Sequence, residues 1–143
     1  NKFYQYEVSS WTKNGKESKH NMNYWGYGDY LGLGPGAHSK ITTNKSITRM
    51  IKLKKVKSYI DNPCKTTNTE ITTKNYDLDL AMNLLRIKEG LTFDEINKRN
   101  IYLSKTFISK LEKGVEENLL EKGGIKASDI GYKFLNDTVN IFS

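Results

Sequence analysis

Residues 17–39 read ESKHNMNYWGYGDYLGLGPGAHS, and the rest of the chain is best understood from this stretch. It holds both histidines, His20 and His38, one of the two tryptophans and five of the eleven glycines. His20-Asn21-Met22-Asn23-Tyr24-Trp25 is a polar and aromatic cluster with neither a helical nor a strand period. Leu31 to Ser39 reads as a short buried strand, begun at Asp29, that ends in a glycine-lined bend. Glycine lets backbone approach a ligand or a neighbouring element closely, and Pro35 stops regular sheet pairing. On residue chemistry alone His20 and Asn21 hydrogen-bond a loop and Tyr24 and Trp25 pack a core, while the glycines form a tight corner.

Upstream, Lys2–Trp11 (KFYQYEVSSW) carries β-branched and aromatic residues in loose alternation and is expected to be one strand. An Asn14-Gly15 turn signal follows. Downstream, Ile41–Thr48 suits a polar hairpin around Asn44-Lys45. Met50–Ile60 puts Leu53, Val56 and Ile60 on a helix face. Asp61-Asn62-Pro63 ends that segment. Cys64–Lys74 is threonine-rich with Ile71 as its one large aliphatic residue, and reads as a linker.

The second half is helical in pattern. Tyr76–Glu89 has Leu78, Met82 and Leu85 in one row and ends at Gly90. Thr92-Phe93-Asp94-Glu95 is a capping box opening a short helix to about Arg99. Ser104 caps a helix with Ile108, Leu111, Val115 and Leu119 on one face, broken at Gly123-Gly124. After a small strand at 125–127, Ser128 caps a last helix bearing Tyr132, Leu135, Val139 and Phe142. The fold class expected is α+β.

The chain has 143 residues, starts at Asn1, and is expected to be a piece of a longer protein. No run approaches the roughly 18 apolar residues of a membrane span. A single cysteine, Cys64, excludes an internal disulfide and suggests the cytoplasm. The net charge of +7 raises a nucleic-acid reading, and its distribution argues against one. Residues 1–62 carry eleven basic and four acidic side chains, whereas residues 63–143 carry twelve of each.

YEVSSW, ESKHNMNYW and DYLGLGPGAHS together resemble the later part of the radical S-adenosylmethionine proteins related to oxygen-independent coproporphyrinogen III oxidase. HNMNYW is similar to the HNxxYW signature of their haem-chaperone branch, the HemW-like proteins. The likeness runs more loosely through LLRIKEGLTFDEI to IKASDIGYKFLNDTV. It implies that residues 1–62 are the tail of a radical S-adenosylmethionine β/α barrel. Residues 63–143 would then be a mainly helical, winged-helix-like C-terminal domain.

The resemblance implies a haem site at His20, Asn21, Tyr24 and Trp25, with His20 as ligand to the haem iron. It implies an S-adenosylmethionine pocket near Gly32, Gly34, Gly36, Ala37 and His38, at the C-terminal strand ends where such barrels work. The parent would hold S-adenosylmethionine and a [4Fe–4S] cluster, act on haem or a porphyrin, and complete its barrel with an N-terminal portion absent here. The three-cysteine C-x3-C-x2-C loop of the family is missing from this sequence. The chain alone is therefore expected to be no enzyme and to hold no cofactor tightly. Haem binding and transfer is the function implied; oxidative decarboxylation of coproporphyrinogen III is the alternative. A winged-helix nucleic-acid-binding module is the rival from another class. The acids Glu112, Glu116, Glu117 and Glu121 around its third helix disfavour it, because a helix that reads a groove needs a positive face.

Overall fold

The computed structural model describes residues 2–13, 15–43, 46–72 and 74–143. In chain order the elements are β1 (Tyr4–Glu7), β2 (Ser10–Thr12), α1 (Lys19–Trp25), β3 (His38–Thr42), β4 (Ile47–Lys52), α2 (Val56–Asp61) and β5 (Thr66–Ile71). They continue with α3 (Tyr76–Leu84), β6 (Leu91–Thr92), α4 (Phe93–Lys98), α5 (Lys105–Glu116), β7 (Gly124–Ile125), α6 (Asp129–Lys133) and α7 (Leu135–Asn140). Helices and strands are mixed, as an α+β chain requires. Two compact units divide them: Asn1–Tyr27 with Asn75–Ser143, and Gly28–Lys74. The expected boundary after residue 62 falls inside the second of these.

In the first unit, β1 and β2 form an antiparallel hairpin whose register shifts between Gln5 and Glu7. The single strand expected over Lys2–Trp11 is thus two strands folded back. Val8 N–H donates to the Arg86 carbonyl at 3.2 Å and Lys88 N–H to the Tyr6 carbonyl at 3.0 Å, so the hairpin is tied to the segment after α3. Those bonds explain why α3 stops at Leu84, earlier than its periodicity suggests. Residues 85–89 leave the helix, and Ile87 bridges Glu7.

The core of this unit is the apolar set Leu80, Leu84, Leu85, Ile87, Ile96, Phe107, Ile125 and Phe142, all buried. Phe107 and Phe142 pack with ring centroids 4.6 Å apart. Local signals hold where the sequence placed them: Thr92 and Glu95 form a complete capping box, and Ser104 and Ser128 each accept a backbone N–H at their helix starts. β6 and β7 pair antiparallel between the helices. The last helix is split at Phe134, whose φ of −109° and ψ of 48° are not helical.

In the second unit, β3, β4 and β5 form an antiparallel sheet in that order. The hairpin expected over Ile41–Thr48 is there as β3 and β4, with Thr42 opposite Ile47. Its turn residues Asn44 and Lys45, and the Asn14 turn signal, lie outside the described residues. Two expectations change. The threonine-rich linker contains β5, because threonine suits a pleated surface even without apolar alternation. The strand expected over Asp29–Leu33 reduces to one bridge, Tyr30 with Lys40. Lys40 is 2% exposed and meets Asp29 at 3.0 Å and the Thr42 hydroxyl at 3.0 Å. Asp29 loses solvation there, yet the Thr42 N–H and Lys40 more than compensate and hold its carboxyl below its ordinary value.

Candidate functional site

The HNMNYW segment is a helix, contrary to its aperiodic appearance. α1 is capped by Ser18, whose hydroxyl accepts the Asn21 N–H at 3.3 Å. None of its seven residues is buried, which is why no apolar stripe marks it in the sequence. The helix is fixed instead by polar contacts. Asn21 Nδ2 donates to the Tyr6 hydroxyl at 3.0 Å and to Ser10 Oγ at 3.3 Å, anchoring α1 to β1 and β2.

Trp25 is held from its ring face. The Arg86 guanidinium lies over it, 4.1 Å from the ring centroid, and Tyr24 meets it edge-on at 4.4 Å. A cation over an indole face is attracted by the ring quadrupole. Arg86 also donates from Nη2 to Ser9 Oγ at 3.1 Å, and its carbonyl accepts the Tyr132 hydroxyl at 3.1 Å. Burial, then the charge of Glu7, push Tyr132 up to about 12, against the opposing effect of Arg86. Tyr132 therefore stays a neutral donor throughout the physiological range.

A cavity of about 340 Å³ opens on this arrangement, lined by Glu7, Ser9, Ser10, His20, Asn21, Tyr24 and Trp25. Its size lies within the range of small-molecule sites. All four of the HNMNYW residues singled out from sequence line it. The sequence reading missed Glu7, Ser9, Ser10 and Arg86. The one available signal was Glu7, an acid inside a segment that otherwise reads as a half-buried strand.

Gly32, Gly34, Gly36, Ala37 and His38 lie in the other unit, around the bend that leads into β3. Gly34 and Gly36 adopt φ of 110° and 70°, where a side chain would be strained. Gly36 N–H donates to the Leu53 carbonyl at 3.0 Å and Gly34 N–H to the Tyr59 hydroxyl at 3.2 Å. A Cβ on Gly32 would lie 2.1 Å from the His38 carbonyl, so this glycine is required by close backbone approach. His38 is exposed at the start of β3.

A [4Fe–4S] cluster does not fit the residues present. Cys64 is the sole cysteine, exposed, and no three His, Cys, Asp or Glu side chains are grouped for a metal among the described residues. The α1 cavity instead brings an exposed imidazole and two aromatic rings to one wall. Imidazole is a common axial ligand of haem iron, and aromatic faces stack on apolar macrocycles.

A helix capped against a hairpin thus carries a histidine and an aromatic pair on one cavity wall. The chain has relatives among known proteins. A HemW-like protein of Buchnera aphidicola subsp. Baizongia pistaciae is 35% identical over 142 residues, covering 96% of this chain and 38% of that protein. The heme chaperone HemW of Buchnera aphidicola subsp. Acyrthosiphon pisum is 31% identical over 146 residues, with the same shares. A mitochondrial radical S-adenosyl methionine domain-containing protein 1 of Dictyostelium discoideum is 52% identical over 42 residues, 29% of this chain and 9% of that protein. No family model and no solved structure matches. The chain is similar, over about 96% of its length, to the C-terminal part of the HemW-like proteins. It spans about two fifths of the length of the curated relatives it matches.

Proposed function

We propose that the α1 cavity is a haem-binding site and that the chain serves haem binding and transfer in a HemW-like protein. The observation that carries this reading is that His20, Asn21, Tyr24 and Trp25 line one cavity. In this reading His20 would hold the haem iron through an imidazole nitrogen. Tyr24 and Trp25 cover the apolar macrocycle, and Asn21 fixes the helix that presents the imidazole. Haem chemistry at the site is the binding of iron through an axial base.

The wider assignments belong to the same proposal. Residues 1–62 close a radical S-adenosylmethionine barrel, whose nucleoside pocket lies by Gly32, Gly34, Gly36, Ala37 and His38. Residues 63–143 form a winged-helix-like accessory domain, and the parent works in the cytoplasm. The cluster is held by residues of the parent outside this chain, and those residues complete the S-adenosylmethionine pocket. No helix among the described residues is long and apolar enough to cross a membrane.

The test is a hemin titration of the protein expressed from its full reading frame, with and without His20→Ala. The variant is expected to lose or shift the Soret band and to release haem on gel filtration. His38→Ala should leave both nearly unchanged. An unaltered spectrum and affinity in His20→Ala would end the ligand assignment.

A further inference from the structure

We propose that a groove bounded by α5, the start of α4 and the segment entering β7 is a docking surface for a partner protein. The partner engages it through a basic amphipathic segment, rich in lysine or arginine with apolar side chains on one face. The groove shares no lining residue with the α1 cavity, so the proposal stands independently of the haem reading.

The groove has a volume of about 460 Å³, and Phe93, Ile108, Leu111 and Val115 supply its apolar lining. Ile108 and Val115 lie two turns apart on α5, about 10 Å along the axis, so the lining forms a stripe. Of the residues around the groove only Leu111 is buried. Phe93 is 38% exposed at the start of α4, where Thr92 and Glu95 complete the cap and its ring takes no part. An apolar stripe open to water is a surface that a partner's apolar side chains can cover. A small metabolite is the poorer fit. Its pockets enclose it and aim a few fixed polar groups inward, whereas the charged groups here stand exposed at the rim.

The rim decides what covers the stripe. Three carboxylates, Glu112, Glu116 and Glu121, stand there against one lysine, Lys122. Lys126 meets Glu121 at 3.1 Å. The carboxylates of Glu112 and Glu116, one turn apart on α5, have no hydrogen-bond or ion-pair partner among the described residues. The nearby lysines of α5 are committed elsewhere: Lys110 donates to the Ser143 carbonyl at 2.8 Å, and Lys113 meets Glu117 at 3.7 Å. A partner that brings cations to this rim finds two free carboxylates, and an acidic one meets like charge. An amphipathic helix with apolar anchors in the stripe and lysines or arginines along the rim satisfies both features at once.

The test is a fluorescence anisotropy titration of a labelled leucine–lysine peptide with the protein expressed from its full reading frame. The peptide has about 14 residues, enough for a helix to hold once docked, with leucines at i, i+3, i+4 and i+7. One control shuffles the same residues so that no apolar face forms, and a second keeps the leucines and replaces lysine by glutamate. The patterned lysine peptide should bind, the shuffled one about tenfold more weakly, and the glutamate one not at all. Glu112→Gln with Glu116→Gln should weaken the patterned peptide about fivefold and flatten its salt dependence. Phe93→Ala should weaken it about tenfold and leave the salt dependence as it was. If Phe93→Ala melts early by circular dichroism, Ile108→Ala takes its place with the same expectation. Equal affinity for the patterned and shuffled peptides, tighter binding of the glutamate peptide, or wild-type affinity in the double glutamine variant each overturns the proposal. Failure of the patterned peptide to bind the full protein does so too, because the groove is then covered by the parent's own residues.

Discussion

Thr92 shows how much one side chain can decide. Its hydroxyl accepts the Glu95 N–H, while the Glu95 carboxylate takes the Thr92 N–H at 2.8 Å and the Thr92 hydroxyl at 2.9 Å. The Thr92 N–H foremost, then its hydroxyl, hold the Glu95 carboxyl below its ordinary value of 4.5. A carboxyl whose folded value is depressed stabilises the fold above its unfolded value and loses that contribution as pH falls through the folded one. Thr92→Ala should cost about 1 kcal/mol, read as a lower denaturation midpoint at pH 7. The advantage of the wild type over Glu95→Gln should be full at pH 7 and shrink below about pH 4.5. An advantage that persists into acid would show that the carboxylate is not the group stabilising this helix start.

At the scale of elements, what the sequence made legible were structures written in contiguous residues. The capping box and the Ser104 and Ser128 caps depend on neighbours within one or two turns, whereas the row expected on α3 did not hold: Met82 is exposed, and Leu80, Ala81 and Leu84 are the residues that turn inward. β5 and α1 were not legible for the opposite reason. β5 exists because its backbone pairs with β4, with Thr66 opposite Lys52 and Ile71 opposite Ile47, and a threonine run does not announce such a partner. α1 is held by Asn21 reaching Tyr6 and Ser10, fifteen and eleven residues upstream, so its chemistry could be suspected while its helix could not. The cavity inherits the same division. Its α1 wall followed from the motif, and its Glu7 wall followed only from the fold. Tertiary approach also fixes the start of α6. A Cβ on Gly131 would lie 1.9 Å from the Leu119 carbonyl, and that carbonyl already accepts the Ser128 N–H at 3.0 Å. Gly131→Ala should therefore lower stability by about 2–3 kcal/mol, whereas an exposed neighbour such as Lys133→Ala should change it little. Equal midpoints for the two variants in urea would mean that the helix start can move away at no cost.

Over the whole molecule, charge and structure divide along different lines from the sequence halves. Residues 28–74 carry nine basic and three acidic side chains, while the other unit carries fourteen and thirteen. The positive excess therefore belongs chiefly to the β3–β4–β5 unit, where Lys54, Lys55 and Lys57 are exposed around the start of α2. The helix that would read a groove in a winged-helix module is α5, and Glu112, Glu116 and Glu117 are exposed along it. Three lysines share α5 with these carboxylates, and Lys113 meets Glu117 at 3.7 Å, so the helix lacks the strongly positive face that groove reading needs. What remains is attraction between scattered lysines and a phosphate backbone. That attraction is sequence-independent, falls steeply with salt and supports dissociation constants of roughly 10⁻⁴ to 10⁻⁶ M. Fluorescence anisotropy with two unrelated duplexes should accordingly give equal, weak affinities. Raising salt from about 50 to 200 mM should abolish most of the binding, since each phosphate contact releases a counterion. Replacing Lys54, Lys55 and Lys57 by glutamate should remove much of the low-salt binding, whereas Glu112→Gln with Glu116→Gln should add little. Submicromolar binding to one duplex over the other, sensitive to α5 and insensitive to the three lysines, would make this a nucleic-acid reader.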